Sequence, residues 1–317
     1  MERYYRYADY LKKKHGEKVY KLPVNLRVSC PNRDGTLGRD GCHFCGEEAA
    51  GFENLPAALS VRQQLEKNKA YIGKRYGAKK FIAYFQNFSN TYLPLEELLS
   101  YVKEALSVED LVEIALSTRP DCISEEYITA LLALVAEKRP SVRLSFEYGL
   151  QTVNYHTLHK VNRGHTLGEF INAVLLSKKY NLEVTAHLIL NLPGDERADA
   201  VENAKVLSAL GVDTVKLHAL YIREGTVFAR KYKEGELKMI PLAEYVERVI
   251  LFLEYLSPEI AVQRLLGRAP ETGALFVNWD RSWWKIHDLI VAEMVRRNTF
   301  QGRRFTYLNG KALHRFA

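Results

Sequence analysis

Cysteine is scarce in this chain of 317 residues, with four in all, and long apolar runs are missing. So few cysteines cannot staple a domain of this size, and such sparing use fits a reducing compartment, so a cytoplasmic protein is expected. No apolar stretch approaches the length needed to span a bilayer. The opening stretch MERYYRYADYLKKKHG is too charged for a secretory signal. Acidic residues are absent from the last 24 positions. The whole chain carries 45 Lys and Arg against 38 Asp and Glu, a net charge of +7, which permits a polyanionic partner without requiring one. At 47% hydrophobic residues the length suits one large domain of barrel size, or a domain with an extension.

Three of the four cysteines crowd together in CPNRDGTLGRDGCHFC, as Cys30, Cys42 and Cys45. The intervening loop carries Gly35, Gly38 and Gly41 with Asn32, Asp34 and Asp40, residues that tolerate tight or left-handed turns. It can therefore fold back and set Cys30 beside the Cys42-x-x-Cys45 pair. Three thiolates without a nearby fourth suggest a metal site with an open position. An iron–sulfur cluster is one occupant. Zinc is another, with His43 completing a Cys3His set, although His43 inside the x-x of the pair is expected to point away. A disulfide is the third reading, disfavoured by the composition. Cys122, in STRPDCISEEY, stands alone; one leftover cysteine cannot hold a second cluster, which excludes chemistry that needs two. It reads as a half-buried thiol at a strand-to-helix junction.

Short β-rich runs alternate with amphipathic stretches. Strands are predicted at 24–28, 81–85, 111–117, 142–148, 183–190 and 214–220, with helices near 59–75, 95–106, 124–138, 154–180 and 197–210. Ser124 supplies the 124–138 helix with an N-cap but no capping box. Repeated strand–helix–strand units imply a parallel sheet, here a partial (β/α)6 barrel of the TIM type, with functional residues at the carboxyl ends of its strands. Beyond residue 220 the rhythm breaks into a helix near 241–256, a short strand at 261–265 and a helix near 284–297. The expected division is a basic, aromatic N-terminal segment (1–20), the barrel (21–222) and a C-terminal α/β extension (223–317) that packs on the barrel and takes part in substrate binding. The predicted strand ends are polar one after another: QNFSNTY, STRPD, EYGLQT and NLPGD. Solvated loops explain one or two of these; the full series beside a three-cysteine loop indicates an active-site mouth.

With its three cysteines, Phe44 before the last of them and a partial barrel, the chain resembles the radical S-adenosylmethionine superfamily. The segments CPNRDG, YFQNFSNTY, STRPDCI, EYGLQT, VNRGHT and LILNLPGDE resemble the YhcC/YtqA-type members, and more distantly the radical domain of the Elongator catalytic subunit. The resemblance covers nearly all of residues 16–270. It implies a [4Fe–4S] cluster on Cys30, Cys42 and Cys45, with S-adenosylmethionine bound at the fourth iron and cleaved by one electron to a 5′-deoxyadenosyl radical. It also implies cofactor contacts from Phe44, from Gln86 and Asn87 near the methionine amino group, and from Ser117, Gln151 and His187 near the ribose. Glu147 joins this set, or instead bonds the loop backbone. Arg163 is implied to pair with the methionine carboxylate, and Leu192 and Pro193 to lie near the adenine. Many superfamily members carry Gly-Gly-Glu where this chain has Gln86 and Asn87.

Basic residues interleave with tyrosines near the N-terminus (Arg3, Tyr4, Tyr5, Arg6, Tyr7, Tyr10) and fill the C-terminal stretch, a pattern suited to phosphate contacts and base stacking. With the resemblance, this points to tRNA and to the C5 substituent of a wobble uridine, carboxymethylaminomethyl going to aminomethyl. Arg264, Trp279, Arg303 and Arg304 are candidate substrate residues, and the electron donor implied is a flavodoxin or ferredoxin. Two other readings stand: a radical enzyme acting on a small molecule or protein, and a zinc-stabilised nucleic-acid-binding protein.

Overall fold

A computed structural model describes residues 2–46, 54–268 and 272–316. Its strands are β1 (Val19–Val24), β2 (Lys80–Phe85), β3 (Leu111–Thr118), β4 (Arg143–Gln151), β5 (Glu183–Ile189), β6 (Thr214–His218), β7 (Ile222–Arg223), β8 (Ala261–Arg264) and β9 (Ala274–Phe276). The helices are α1 (Tyr7–His15), α2 (Val61–Tyr76), α3 (Leu95–Leu106), α4 (Glu125–Lys138), α5 (Tyr155–Lys160), α6 (Leu167–Lys179), α7 (Arg197–Leu210), α8 (Val227–Lys233), α9 (Leu242–Tyr255) and α10 (Trp283–Arg296).

Seven parallel strands form one sheet in the order β1-β2-β3-β4-β5-β6-β8. The strands are buried on both faces, as parallel strands covered by crossover helices must be; in β2 the five residues from Phe81 to Phe85 are all buried. The sheet curls far enough that its two edges meet through side chains, Lys21 Nζ of β1 donating to Gln263 Oε1 of β8 at 2.8 Å. The result is the partial TIM-type barrel expected, with one strand more than the six predicted. Residues 261–264 of the extension supply it and pair with β6.

Three local predictions are corrected. The first strand is Val19–Val24 rather than 24–28. Pro23 lies inside it, which is tolerated because β1 is an edge strand, where a missing N–H costs no ladder bond on the open side. The single helix expected over 154–180 is broken into α5 and α6. Asn162 and Gly164 take φ of 53° and 77° in the break, so helical propensity on both sides does not carry through it. Helix α1 was not predicted. It plugs the amino end of the barrel, with Tyr7, Tyr10 and Leu11 packed on Val19, Ile82, Tyr84 and Ala115. Lys14 Nζ lies 2.8 Å from Glu113 and 2.7 Å from Glu183. The N-terminal tyrosines thus pack inward. Ser124 caps α4 by accepting from Tyr127 N, as expected, while Ser60 and Thr166 cap α2 and α6 with full capping boxes. Among the described residues no helix is long and apolar enough to cross a membrane.

Candidate functional site

At the carboxyl ends of the strands the curled sheet encloses a cavity of about 520 Å³, whose lining includes all three clustered cysteines. The loop bearing them is held by a web of bonds. Leu37 N donates to Pro31 O at 2.7 Å, Gly41 N to Asn32 O at 2.8 Å, and His43 N to Val161 O at 3.0 Å. Asn32 and Asn162 clasp reciprocally, each side-chain amide donating to the other segment's backbone, at 2.6 and 2.8 Å. Gly164 cannot be replaced freely here, since a Cβ would stand 2.8 Å from Asn32 Oδ1. Arg33 fastens the far end of the loop by donating to the carbonyls of Cys45 and Gly46.

The break between α5 and α6 delivers Arg163 to the cavity. Its Nη1 lies 3.4 Å from Cys42 Sγ and its Nη2 donates to Gly149 O at 2.7 Å, while its Nε is buried without a partner. Asn32 Nδ2 is 3.8 Å from the same sulfur. Arg119 holds the Arg163 carbonyl at 2.8 Å and is itself gripped by both oxygens of Asp121. Burial pushes the Cys45 thiol up, as does the neighbouring Cys42, while Arg33 and Arg163 pull it down. These donors and cations suit thiolates with further ligand space beside them. His43 turns away, its ring edge-on to Phe228 with centroids 6.0 Å apart. Turned that way, His43 does not complete a Cys3His set with the three cysteines. A cubane asks less convergence, because each thiolate meets a different iron. The residues present therefore fit an iron–sulfur cluster with an anionic ligand beside it.

Strand β4 kinks at its end, where the register slips between Tyr148 and Gln151 and Gln151 takes φ of 77°. Such a conformation outside glycine is held in place by its surroundings, and it turns Gln151 into the cavity. Below the thiolates the barrel interior holds a second polar group. Glu147, 1% exposed, meets Lys21, His187 Nε2 at 2.8 Å, Gln263 Nε2 at 3.0 Å and Lys216 Nζ at 3.5 Å. Burial is the largest single influence and would raise its pKa, but Lys21, Lys216 and the bond to His187 together hold it well below the usual carboxylate range. Burial, helped by Lys216, lowers His187 to about 4, against the pull of Glu147.

His187 is thus neutral in the folded chain at pH values where an unfolded histidine is charged. As pH falls from about 6.5 to about 4 the unfolded state gains a proton that the folded state refuses, so stability falls by roughly 3 kcal/mol through this group. Thermal melts of His187→Gln should show a shallower loss between pH 6.5 and 4 than the parent chain; parallel curves would refute this origin.

Of the residues singled out from sequence, Cys30, Cys42, Cys45, Phe44, Gln86, Ser117, Gln151, Arg163, His187 and Arg264 line the cavity. Glu147 is not on the cavity wall but bonds His187, Lys216 and Gln263, which are, and Asn87 is buried, its amide donated to Asn25 Oδ1 at 2.6 Å. Leu192 is buried beside Val161, Ile189 and Phe228, a cluster on which Phe44 packs. Neither it nor Pro193 is on the cavity wall. Trp279 donates its indole N–H to Ile240 O at 2.7 Å and packs at a tilt on Tyr245, ring centroids 5.0 Å apart. Arg304 pairs with Glu254 at 3.0 Å, and Arg303 donates to the Asn298 carbonyl at 3.0 Å; the structure does not bring these three to the cavity. The Cys122 thiol is pushed up to about 12 by burial and Asp121 and stands apart. Tyr84, Arg119, Lys216 and His218 line the cavity and were missed. The alternation in TVKLH, two polar side chains two apart on an apolar strand, was the available signal for Lys216 and His218.

Residues 30–207 match the Radical SAM superfamily, and residues 212–296 match the Radical_SAM C-terminal domain. YtqA of Bacillus subtilis is 32% identical over 97% of this chain and 94% of its own length. A tRNA uridine(34) acetyltransferase of Methanocaldococcus jannaschii is 28% identical over 55% of this chain and 32% of its own length. Among solved structures, an archaeal Elp3 of Methanocaldococcus infernus, with residues 1–46 deleted, superposes with a TM-score of 0.66 at 19% identity. That match covers 89% of this chain and 64% of the other.

Proposed function

The chain belongs to the Radical SAM superfamily, and on that premise we propose that it modifies tRNA at the C5 substituent of a wobble uridine, converting carboxymethylaminomethyl to aminomethyl; the arm's carboxymethyl carbon would give one hydrogen atom to the deoxyadenosyl group and one electron back to the cluster, and water would cleave the resulting imine, the two carbons leaving as glyoxylate. Its cofactors are a [4Fe–4S] cluster and S-adenosylmethionine, which together supply a one-electron route to a hydrogen-abstracting radical when bound. Cys30, Cys42 and Cys45 are assigned one iron each, which leaves one iron without a protein ligand. Arg163, beside Cys42 and with Nε unpartnered, is assigned the methionine carboxylate. Ser117, Gln151 and Phe44 are assigned the nucleoside part, and the apolar packing behind Phe44 excludes water from that wall. The observation that carries the tRNA assignment is the relative named as acting on tRNA uridine 34, matched across 55% of this chain; the net charge of +7 supports it. A reductant of the flavodoxin or ferredoxin type is assigned to the outside, since Cys122 cannot hold a second cluster.

The test is anaerobic incubation of reconstituted protein, S-adenosylmethionine and reduced flavodoxin with tRNA bearing the carboxymethylaminomethyl group, followed by nucleoside mass spectrometry. Loss of the carboxymethyl mass at the wobble uridine is expected. Cofactor cleavage that is indifferent to tRNA, with every nucleoside unchanged, would leave a small molecule or protein as the substrate instead.

Gly149 offers a narrower check. A Cβ there would stand 2.7 Å from Arg163 Nη2 and 3.0 Å from Gln151 Nε2, so Gly149→Ala must displace both. The expected result is S-adenosylmethionine affinity at least about tenfold weaker, the loss of one charge-assisted bond, with iron content unchanged. Unaltered affinity by equilibrium dialysis would remove Arg163 and Gln151 from the cofactor site.

A further inference from the structure

Lys216 is a buried lysine of the barrel interior that the cofactor assignments leave without a task. It sits on β6 in register with His187 and Arg264, 8% exposed, and lines the cavity. Two of its three N–H donors are engaged, by Tyr84 OH at 2.8 Å and Glu147 Oε2 at 3.5 Å. Glu147 is already met by Lys21 from β1, so two lysines share one carboxylate. An uncompensated buried ammonium is costly, and no second carboxylate is bonded to it among the described residues. The charged and titratable groups facing it are Lys21 (β1), Tyr84 (β2), Glu147 (β4), His187 (β5), His218 (β6) and Arg264 (β8); Glu147 favours the charged lysine, while Lys21 and Arg264 oppose it.

We propose that Lys216 forms an anion site that seats a terminal carboxylate on the substrate arm. The site is distinct from the one at Arg163. Arg163 comes from the α5–α6 break and bonds Cys42 Sγ and Gly149 O, whereas Lys216 comes from β6 and bonds Tyr84 OH and Glu147 Oε2. A backbone phosphodiester cannot reach this floor without both neighbouring nucleotides following it into the barrel; an arm that ends in a carboxylate can. The carboxymethylaminomethyl arm has that end, and to this extent the inference rests on the proposed function.

Burial, partly offset by Glu147, brings Lys216 down to about 7. At pH 8 it is therefore about nine-tenths neutral, and an arriving anion restores its charge by drawing in a proton. At pH 6 it is already charged and no proton is needed.

The experiment is calorimetry on the cluster-loaded protein with S-adenosylmethionine bound, titrated with N-acetylglycine, its methyl ester or inorganic phosphate. Buffers of different ionisation enthalpy report protons exchanged. The parent chain should bind N-acetylglycine with close to one proton taken up at pH 8 and almost none at pH 6, and should not bind the ester. Lys216→Met should weaken binding at least tenfold, while Lys216→Arg should bind without proton uptake; a merely structural lysine would give neither pattern. Equal binding of acid and ester, tighter binding of phosphate, or loss of S-adenosylmethionine affinity in Lys216→Met would each overturn the assignment. These probes contain no tRNA, so a wrong wobble-uridine reading leaves their outcome untouched. Full tRNA turnover by Lys216→Met would overturn the carboxylate site and leave that reading standing.

Discussion

Replacing Cys42 with alanine is expected to reduce iron in the anaerobically reconstituted protein from about four atoms per chain to almost none. Cys42 is buried, as is Cys30, and its sulfur is approached by Arg163 and Asn32. With three protein thiolates the site is already one short of the usual four. Two would leave two irons open to solvent, and the cluster would not survive purification. Cys122→Ala is the internal control. Its thiol, held protonated by burial and Asp121 with a pKa of about 12, has no place at the cavity, so iron content and the reduced-cluster resonance should stay at the parent level. Full iron in Cys42→Ala would remove the three-cysteine assignment.

The second large effect is expected at Glu147. Glu147→Gln keeps the shape and some hydrogen bonds but leaves Lys21 and Lys216 facing each other in the barrel interior. Removing one partner of a buried ion pair costs roughly 3–5 kcal/mol, and Lys216 can relieve part of this by losing its proton. That escape closes as pH falls. In the parent chain Lys216 takes its proton near pH 7; in the variant its pKa lies lower still, so the folded variant binds fewer protons than the folded parent below pH 7. Its stability deficit must therefore widen between pH 8 and pH 6. Denaturant melts at the two values measure it. Adding Lys216→Met to Glu147→Gln should recover part of the loss, a coupling that a double-mutant cycle quantifies. A deficit independent of pH, with no recovery in the double variant, would show that Glu147 acts through packing alone.

The alternation of apolar strands with amphipathic helices was legible in the sequence because the central strands β2 to β6 are buried on both faces and the covering helices on one. So was the three-cysteine loop, since glycine and asparagine at tight turns leave a local signature. Most cavity residues at strand ends were legible for the same reason: in a parallel barrel, position along the strand decides which rim a side chain reaches. What local pattern could not show was long-range pairing. Pro23 marks an edge strand only once the neighbours are known, and residues 261–264 become the seventh strand only through β6 and Lys21. The turn at 162–164 reads as continuous helix until Asn32 and Arg119 clamp it open. The charged interior was decided by closure of the sheet as well. Glu147, Lys21, Lys216 and Gln263 lie on four different strands; the two lysines and the glutamine stand 69 to 126 residues from Glu147 along the chain and reach it only by way of that curvature. Sequence by itself determined which residues could carry the chemistry. The tertiary structure decided their neighbours, because the desolvation that tunes Lys216 and His187 and the Coulomb field that holds Glu147 ionised depend on distances across the barrel, which no local pattern encodes.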